Sequence, residues 1–257
     1  MEVPFTIFNL FIFLFGLCVG SFLNVVIFRL EKEESFVTGR SHCPKCRHQL
    51  IWLDLIPVFS FLFLKGKCRY CSQKISWQYP AVEMATGLLF VLIFLATPYN
   101  LISILFLLYI VSFLIVIFIY DLKHYLIPDK ILFPAIIISF LYQAIFHTSA
   151  MGNYLMASAI ACGFLLAIFL VSKGQWMGFG DVKLAILLGF LIGFPNILLG
   201  LFLSFFFGAI LGIILMSFKK CGLKSEIPFA PFLILGTLTA MFFGSEIIQW
   251  YFQFFTF

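Results

Sequence analysis

Gly178-Phe179-Gly180-Asp181-Val182-Lys183 sets a carboxylate between a glycine-rich turn and an apolar run that continues to Pro195. An acid there is tolerable if the run is a helix that opens at a membrane face, and that reading frames the rest of the chain. Few acids stand at such places: 63% of the 257 residues are hydrophobic, 11% are charged, and the mean hydropathy is +1.13. A soluble domain carries about 25% charged residues. The composition excludes that class and predicts an all-α polytopic membrane protein.

A hydrocarbon core of about 30 Å takes roughly 17 to 25 helical residues. On that ruler about eight transmembrane helices follow, near residues 5–28, 81–97, 100–120, 131–147, 154–172, 182–195, 197–218 and 229–252. Pro195-Asn196 divides the sixth from the seventh. The run from Phe5 to Phe28 has neither a basic start nor a small-residue cleavage site, so it is expected to stay as the first helix.

Cytoplasmic segments hold the excess of Lys and Arg. With the N-terminus outside, all sixteen basic residues fall on cytoplasmic segments, while residues 97–100 and 147–153 carry none. Adding or removing one helix would scatter them over both faces. Both termini are therefore expected outside, with the cysteine-bearing segment on the cytoplasmic side. The net charge of +5 is a topological signal that also suits anionic lipid headgroups, and no nucleic-acid surface is expected. Glycines four apart, at Gly16 and Gly20, Gly189 and Gly193, and Gly208 and Gly212, predict close helix approach. Asn24 is expected to hydrogen-bond to a neighbouring helix.

One long polar segment interrupts the pattern between the first two helices. The chain accordingly divides into a first helix, 1–28, an insert, 29–80, and a seven-helix membrane domain, 81–257. The insert holds Cys43-Pro44-Lys45-Cys46 and Cys68-Arg69-Tyr70-Cys71. Two Cys-x-x-Cys turns present four thiolates as a tetrahedral Zn2+ requires, so Cys43, Cys46, Cys68 and Cys71 are predicted ligands of a small zinc-ribbon-like insert. Disulfides are the alternative, disfavoured by a reducing cytoplasm. Four protein ligands leave no open position, so the metal would staple the loop. His42 and His48 are expected not to ligate, and Cys18, Cys162 and Cys221 to have no partner. The apolar stretch 50–64 is expected to dip into the membrane face or pack under the turns.

Of the eleven acids, Glu31, Glu33, Glu34 and Asp54 in the insert, together with Glu2, Glu226 and Glu246, are expected to be solvated or interfacial. Glu83, Asp121, Asp129 and Asp181 fall at inner ends of helices, where an ionisable group is a functional candidate. Two helices separate Asp121 from Asp181, which returns the chain to the same face. Asp121 closes one helix, at the negative end of its dipole, which favours the protonated form. Asp181 opens another, where the positive end and Lys183 favour the ionised form. Such a pair can hold one proton while the other carboxylate activates a water, with Asp121 the expected acid and Asp181 the base. Gly178 and Gly180 are expected to free the backbone or let an extended substrate lie close. Pro128-Asp129 and Pro80 with Glu83 read as helix starts.

With these residues assembled, the chain resembles the prepilin peptidase family, the type IV leader peptidases among the GxGD aspartyl proteases. The blocks that carry it are Gly20 to Leu30, the paired cysteines, Tyr79 to Glu83, Asp121 to Asp129, Gly178 to Lys183, and Pro228 to Leu233. The resemblance implies that Asp121 and Asp181 are the catalytic pair, with Gly178, Gly180, Lys183 and Asp129 substrate-binding or supporting, and with Glu83 a helper in a second activity, methylation. The implied substrates are type IV prepilins or pseudopilins, cut after a leader glycine at the cytoplasmic face. Family members with the four-cysteine insert commonly also methylate the new N-terminal amine, typically of Phe, with S-adenosylmethionine. That cofactor is implied by resemblance alone, since no nucleotide loop is readable in the insert. Tyr120 is bulkier than the family pattern suggests, and Ala230 stands where a glycine is often seen. A proton-coupled transporter and a non-catalytic pilus or secretion assembly subunit are the alternatives. Transporters place acids near the midplane of repeated, broken helices, and no inverted repeat is seen here.

Overall fold

The computed structural model describes residues 5–35, 39–97, 100–217 and 227–255. Glu2, Lys219, Lys220, Cys221, Lys224 and Glu226 lie outside them. The helices are α1 (Phe5–Glu31), α2 (Phe59–Phe63), α3 (Gln78–Ala96), α4 (Leu101–His124), α5 (Asp129–Phe146), α6 (Met151–Val171), α7 (Phe179–Ile192), α8 (Asn196–Ser217) and α9 (Ala230–Phe255). The described residues form no β-strand, only two isolated bridges in the insert. Apart from the short α2, these are the eight predicted helices, and the chain is an all-α, multi-pass membrane protein.

Seven of the eight are long and apolar enough to cross a membrane. The exception is α7, whose 14 residues rise about 21 Å. It compensates by burial: Asp181, Val182, Leu184, Ala185 and every residue from Leu187 to Leu191 are buried. A helix surrounded by other helices needs no lipid-matched length. It stops where expected, because Gly193 takes φ +66° as its C-cap and Pro195 cannot extend it. Its last carbonyls are met from neighbours. Gln143 Nε2 on α5 donates to the Phe190 carbonyl at 2.8 Å, and Asn153 brackets Phe194 with one bond to each backbone group.

The fold has two units, Met1–Val116 and Ile117–Phe257, with the division inside α4. In the first, α1 packs along α3 through glycine. A Cβ on Gly16 would stand 2.7 Å from the Gly87 Cα, and one on Gly20 would stand 2.7 Å from the Glu83 Cα. The predicted Asn24 bond forms on the same seam, from Nδ2 to the Tyr79 carbonyl at 3.1 Å. In the second unit Gly189 of α7 meets α6 so closely that a Cβ would lie 2.3 Å from the Ser158 Cα. The third glycine pair does not behave this way. Gly208 is in ordinary contact with Phe232, and a Cβ on Gly212 would touch nothing within 4 Å. Spacing alone cannot say whether a second helix lies on that face.

Candidate active site

The insert is built from two copies of one turn. Cys43 N–H donates to His48 O and Arg47 N–H to Cys43 O, each at 2.9 Å; Cys68 N–H donates to Gln73 O at 2.9 Å and Ser72 N–H to Cys68 O at 3.0 Å. Arg47 and Ser72, one past the second cysteine of each turn, both take φ +57°. The four sulfurs lie within 4.8 Å of one another, and Cys43 Sγ is 3.9 Å from Cys71 Sγ. Four bonds of about 2.3 Å to a tetrahedral zinc would put sulfurs roughly 3.8 Å apart, whereas a disulfide needs about 2.05 Å. The set therefore fits a metal. Burial raises the Cys43 thiol, but hydrogen bonds from the Cys46 and Lys45 backbone and from the neighbouring sulfurs outweigh it and bring the group to about 7. His42 packs edge-on to Phe28, and His48 lies over Tyr70.

Asp54 departs from the solvated role expected of it. Its side chain is 4% exposed and takes Arg69 Nε at 2.7 Å, with Tyr70 Oη and the Ile51 N–H at 3.3 Å, which pins the apolar stretch to the second cysteine turn. Further along, Val58 adopts φ +63°, ψ −50°, and Phe59 N–H closes back on Pro57 O at 2.6 Å. This is the strained, positive-φ form of the γ-turn on a β-branched residue, costing on the order of 1–3 kcal/mol. Its hold is visible: the Val58 N–H donates to Glu83 Oε2 at 2.7 Å. Glu83 is buried on α3 and also takes a bond from Ser21 of α1.

The second unit brings Asp121 and Asp181 together. Asp121 sits one turn inside the C-terminal end of α4, which runs on to His124, and Asp181 is the third residue of α7. They are 5% and 7% exposed, and each lies within electrostatic range of the other. The Ala230 N–H, at the opening of α9, meets the Asp121 carboxyl, while Asp121 Oδ2 is buried without a partner. Asp181 reaches back to the N–H of Gly178, its helix's N-cap, which is half of a capping box. Capping alone would make Asp181 structural. A second buried acid beside it is what capping does not require.

The glycines do not supply the conformational freedom that was one of their two expected roles. Gly178 is extended at φ −75°, ψ 149°, open to any residue, and Gly180 is helical; the left-handed backbone lies upstream at Lys173 and Gly174. Gly180 is needed for close approach, since a Cβ would sit 3.2 Å from Ile127 Cβ in the α4–α5 connection. That connection follows Asp121, so Gly180 lets the two acid-bearing segments close on each other. Lys183 also departs from its expected role beside Asp181. It pairs with Asp129, the first residue of α5 after the Pro128 N-cap, and lies over Phe133 and Phe179.

Two family descriptions match the chain: "Bacterial Peptidase A24 N-terminal domain" over residues 14–97 and "Type IV leader peptidase family" over residues 108–213. The chain is 33% identical over 241 residues to the prepilin leader peptidase/N-methyltransferase of Bacillus subtilis strain 168, covering 93% of this chain and 96% of that one. The chain belongs to the type IV leader peptidase family. Two further relatives bear the same designation. That of Aeromonas salmonicida strain A449 is 32% identical, with 97% and 95% of the two chains covered. That of Pseudomonas aeruginosa is 30% identical, with 94% and 92% covered. No solved structure matches. Within this leader peptidase the N-terminal match covers α1, the cysteine turns and α3, and the second covers both aspartates. What reading by residue type missed are backbone donors, Ala230 and Val58, which no side-chain pattern advertises.

Proposed function

We propose that the protein is a membrane aspartyl endopeptidase that removes the leader from type IV prepilins or pseudopilins at the cytoplasmic face of the bacterial inner membrane. The observation that carries this is the buried pair Asp121 and Asp181, held on α4 and α7 by backbone donors. Two buried carboxylates within electrostatic range of each other disfavour ionising together, so that one can hold a proton while the other is ionised. The ionised member takes a proton from a water as it attacks the scissile carbonyl, and the protonated member delivers a proton to the leaving amine. Gly180 supports the approach of the two segments, and Lys183 with Asp129 ties α7 to α5.

In this reading residues 29–80 form a cytoplasmic insert stapled by zinc on Cys43, Cys46, Cys68 and Cys71, and residues 81–257 carry the protease. The relatives' double designation supports a second activity, methylation of the amine that cleavage exposes. S-adenosylmethionine would supply the methyl group when bound. The test is a prepilin cleavage assay read by mass spectrometry, wild type beside Asp121→Asn and Asp181→Ala. Leader loss with wild type alone is expected. Cleavage by either variant would end the aspartyl reading.

A further inference from the structure

We propose that Glu83 anchors and deprotonates the methyl-accepting amine: the α1–α3 seam under the insert is a site for a free α-amine at the head of an apolar segment. The proposal rests on the methylation reading above and gives that activity a place in the first unit.

Glu83 is 7% exposed and makes no ion pair among the described residues. The groups that face it are the Ser21 hydroxyl from α1 and the Val58 N–H from the insert, neither of them charged; along α3 its turn neighbour is Tyr79, which lies within electrostatic range of Glu31 at the end of α1 and of Cys43 in the insert. Asn24, 2% exposed, spends its Nδ2 on the Tyr79 and Gly20 carbonyls, while its Oδ1 is buried without a partner. Gly20 itself packs on the Glu83 backbone. The seam thus carries two buried acceptors, the Glu83 carboxylate, supplied by neutral donors, and the orphaned Asn24 Oδ1. A buried carboxylate with no cation is expensive, and an ammonium group supplies the charge it lacks.

The surroundings narrow the ligand. Phe59, Leu62 and Phe63 follow Val58 directly, and Trp77 precedes α3; they are 52%, 60%, 84% and 74% exposed. Phe61 packs edge-on to Trp77 at 4.9 Å, which joins the insert's apolar stretch to the start of α3. A free amino acid or a metal ion uses none of this shelf. A cation leading an apolar chain uses both parts, and a cleaved pilin that begins with an apolar residue is such a ligand.

The step balances. An ammonium gives one proton to the Glu83 carboxylate and becomes a neutral amine. Its lone pair then forms the N–C bond to the methyl carbon of a sulfonium donor as the S–C bond breaks, leaving a neutral thioether and a methylammonium. Bulk water takes up the proton from Glu83.

Glu83→Gln in the full-length protein keeps an oxygen for the Val58 N–H but cannot accept a proton. At about pH 7, below the ordinary α-amine value of about 7.7–8.0, methyl transfer to a pilin already cleaved by wild-type enzyme should fall about 10²-fold. Leader cleavage and zinc content should be unchanged. Between about pH 7 and about pH 9 the variant should regain much of the loss as solvent deprotonates the amine, while wild type stays flatter. Binding supplies a readout besides activity. Wild type should prefer a short apolar peptide with a free N-terminus over its N-acetyl form by about tenfold, and Glu83→Gln should lose that preference. Parallel pH profiles, or joint loss of cleavage and zinc, would reduce Glu83 to a latch on the insert and overturn the proposal. If wild type does not methylate, the methylation reading and the base role both fail. The peptide comparison then decides the amine site alone: a preference that Glu83→Gln abolishes keeps it, and equal binding of the two peptides, or competition only by an aminophospholipid, ends it.

Discussion

Buried carboxylates stand in both units, in different company. In the first unit Glu83 is a single acid, met by Ser21 and by a strained Val58 N–H and facing no charge. In the second, Asp121 and Asp181 lie within electrostatic range of each other, and each has its own backbone donor. A lone acid among neutral donors is suited to holding a cation or taking its proton. Two acids that cannot both ionise cheaply share a proton, which lets one act as base while the other acts as acid. The difference is one of company, since the same functional group at similar burial is put to two chemistries.

The contrast predicts separable losses, and the largest tests it most directly. Asp121→Asn or Asp181→Asn should lower leader cleavage on the order of 10³-fold or more, while methylation of a pre-cleaved pilin persists. A variant that lost both activities equally would show that the units do not work separately. Next comes metal removal. Cys43→Ser should abolish zinc binding, measured by elemental analysis, and release the insert that holds Val58 on Glu83, because structural zinc contributes folding energy outright. Methyl transfer should then drop far more than cleavage.

Smaller effects sharpen the packing side. Gly189→Ala puts a Cβ 2.3 Å from the Ser158 Cα, and Gly16→Ala puts one 2.7 Å from the Gly87 Cα. Each should cost about 1–3 kcal/mol in detergent thermal denaturation, the first more than the second. Gly212→Ala, with open space around it, should cost almost nothing. A small change is also expected from Asp129→Asn. The Lys183 pair is half exposed on the Asp129 side, so its loss should be worth under about 1 kcal/mol and leave cleavage in place.

The path from sequence to site was uneven for physical reasons. Helix number and the paired cysteine turns were legible because lipid demands long apolar runs and zinc demands thiolates at short spacing. The two aspartates were legible because an acid at a helix end beside apolar sequence is conspicuous. Of the two roles read for Gly180, conformational freedom does not apply, since its backbone is helical, and the close approach observed is to Ile127. Lys183 was assigned to Asp181 by proximity in sequence, whereas helix geometry turns it to Asp129.

By itself, then, the sequence determined the membrane class, the helix count, the four clustered cysteines and the two acids at helix ends, because each depends on composition or local spacing. Tertiary structure decided that Asp121 and Asp181 come within electrostatic range, that Ala230 and Val58 lend backbone N–H groups to buried carboxylates, and that Glu83 makes no ion pair among the described residues. Those facts depend on which distant segments touch, and a backbone N–H leaves no mark in the identity of its residue.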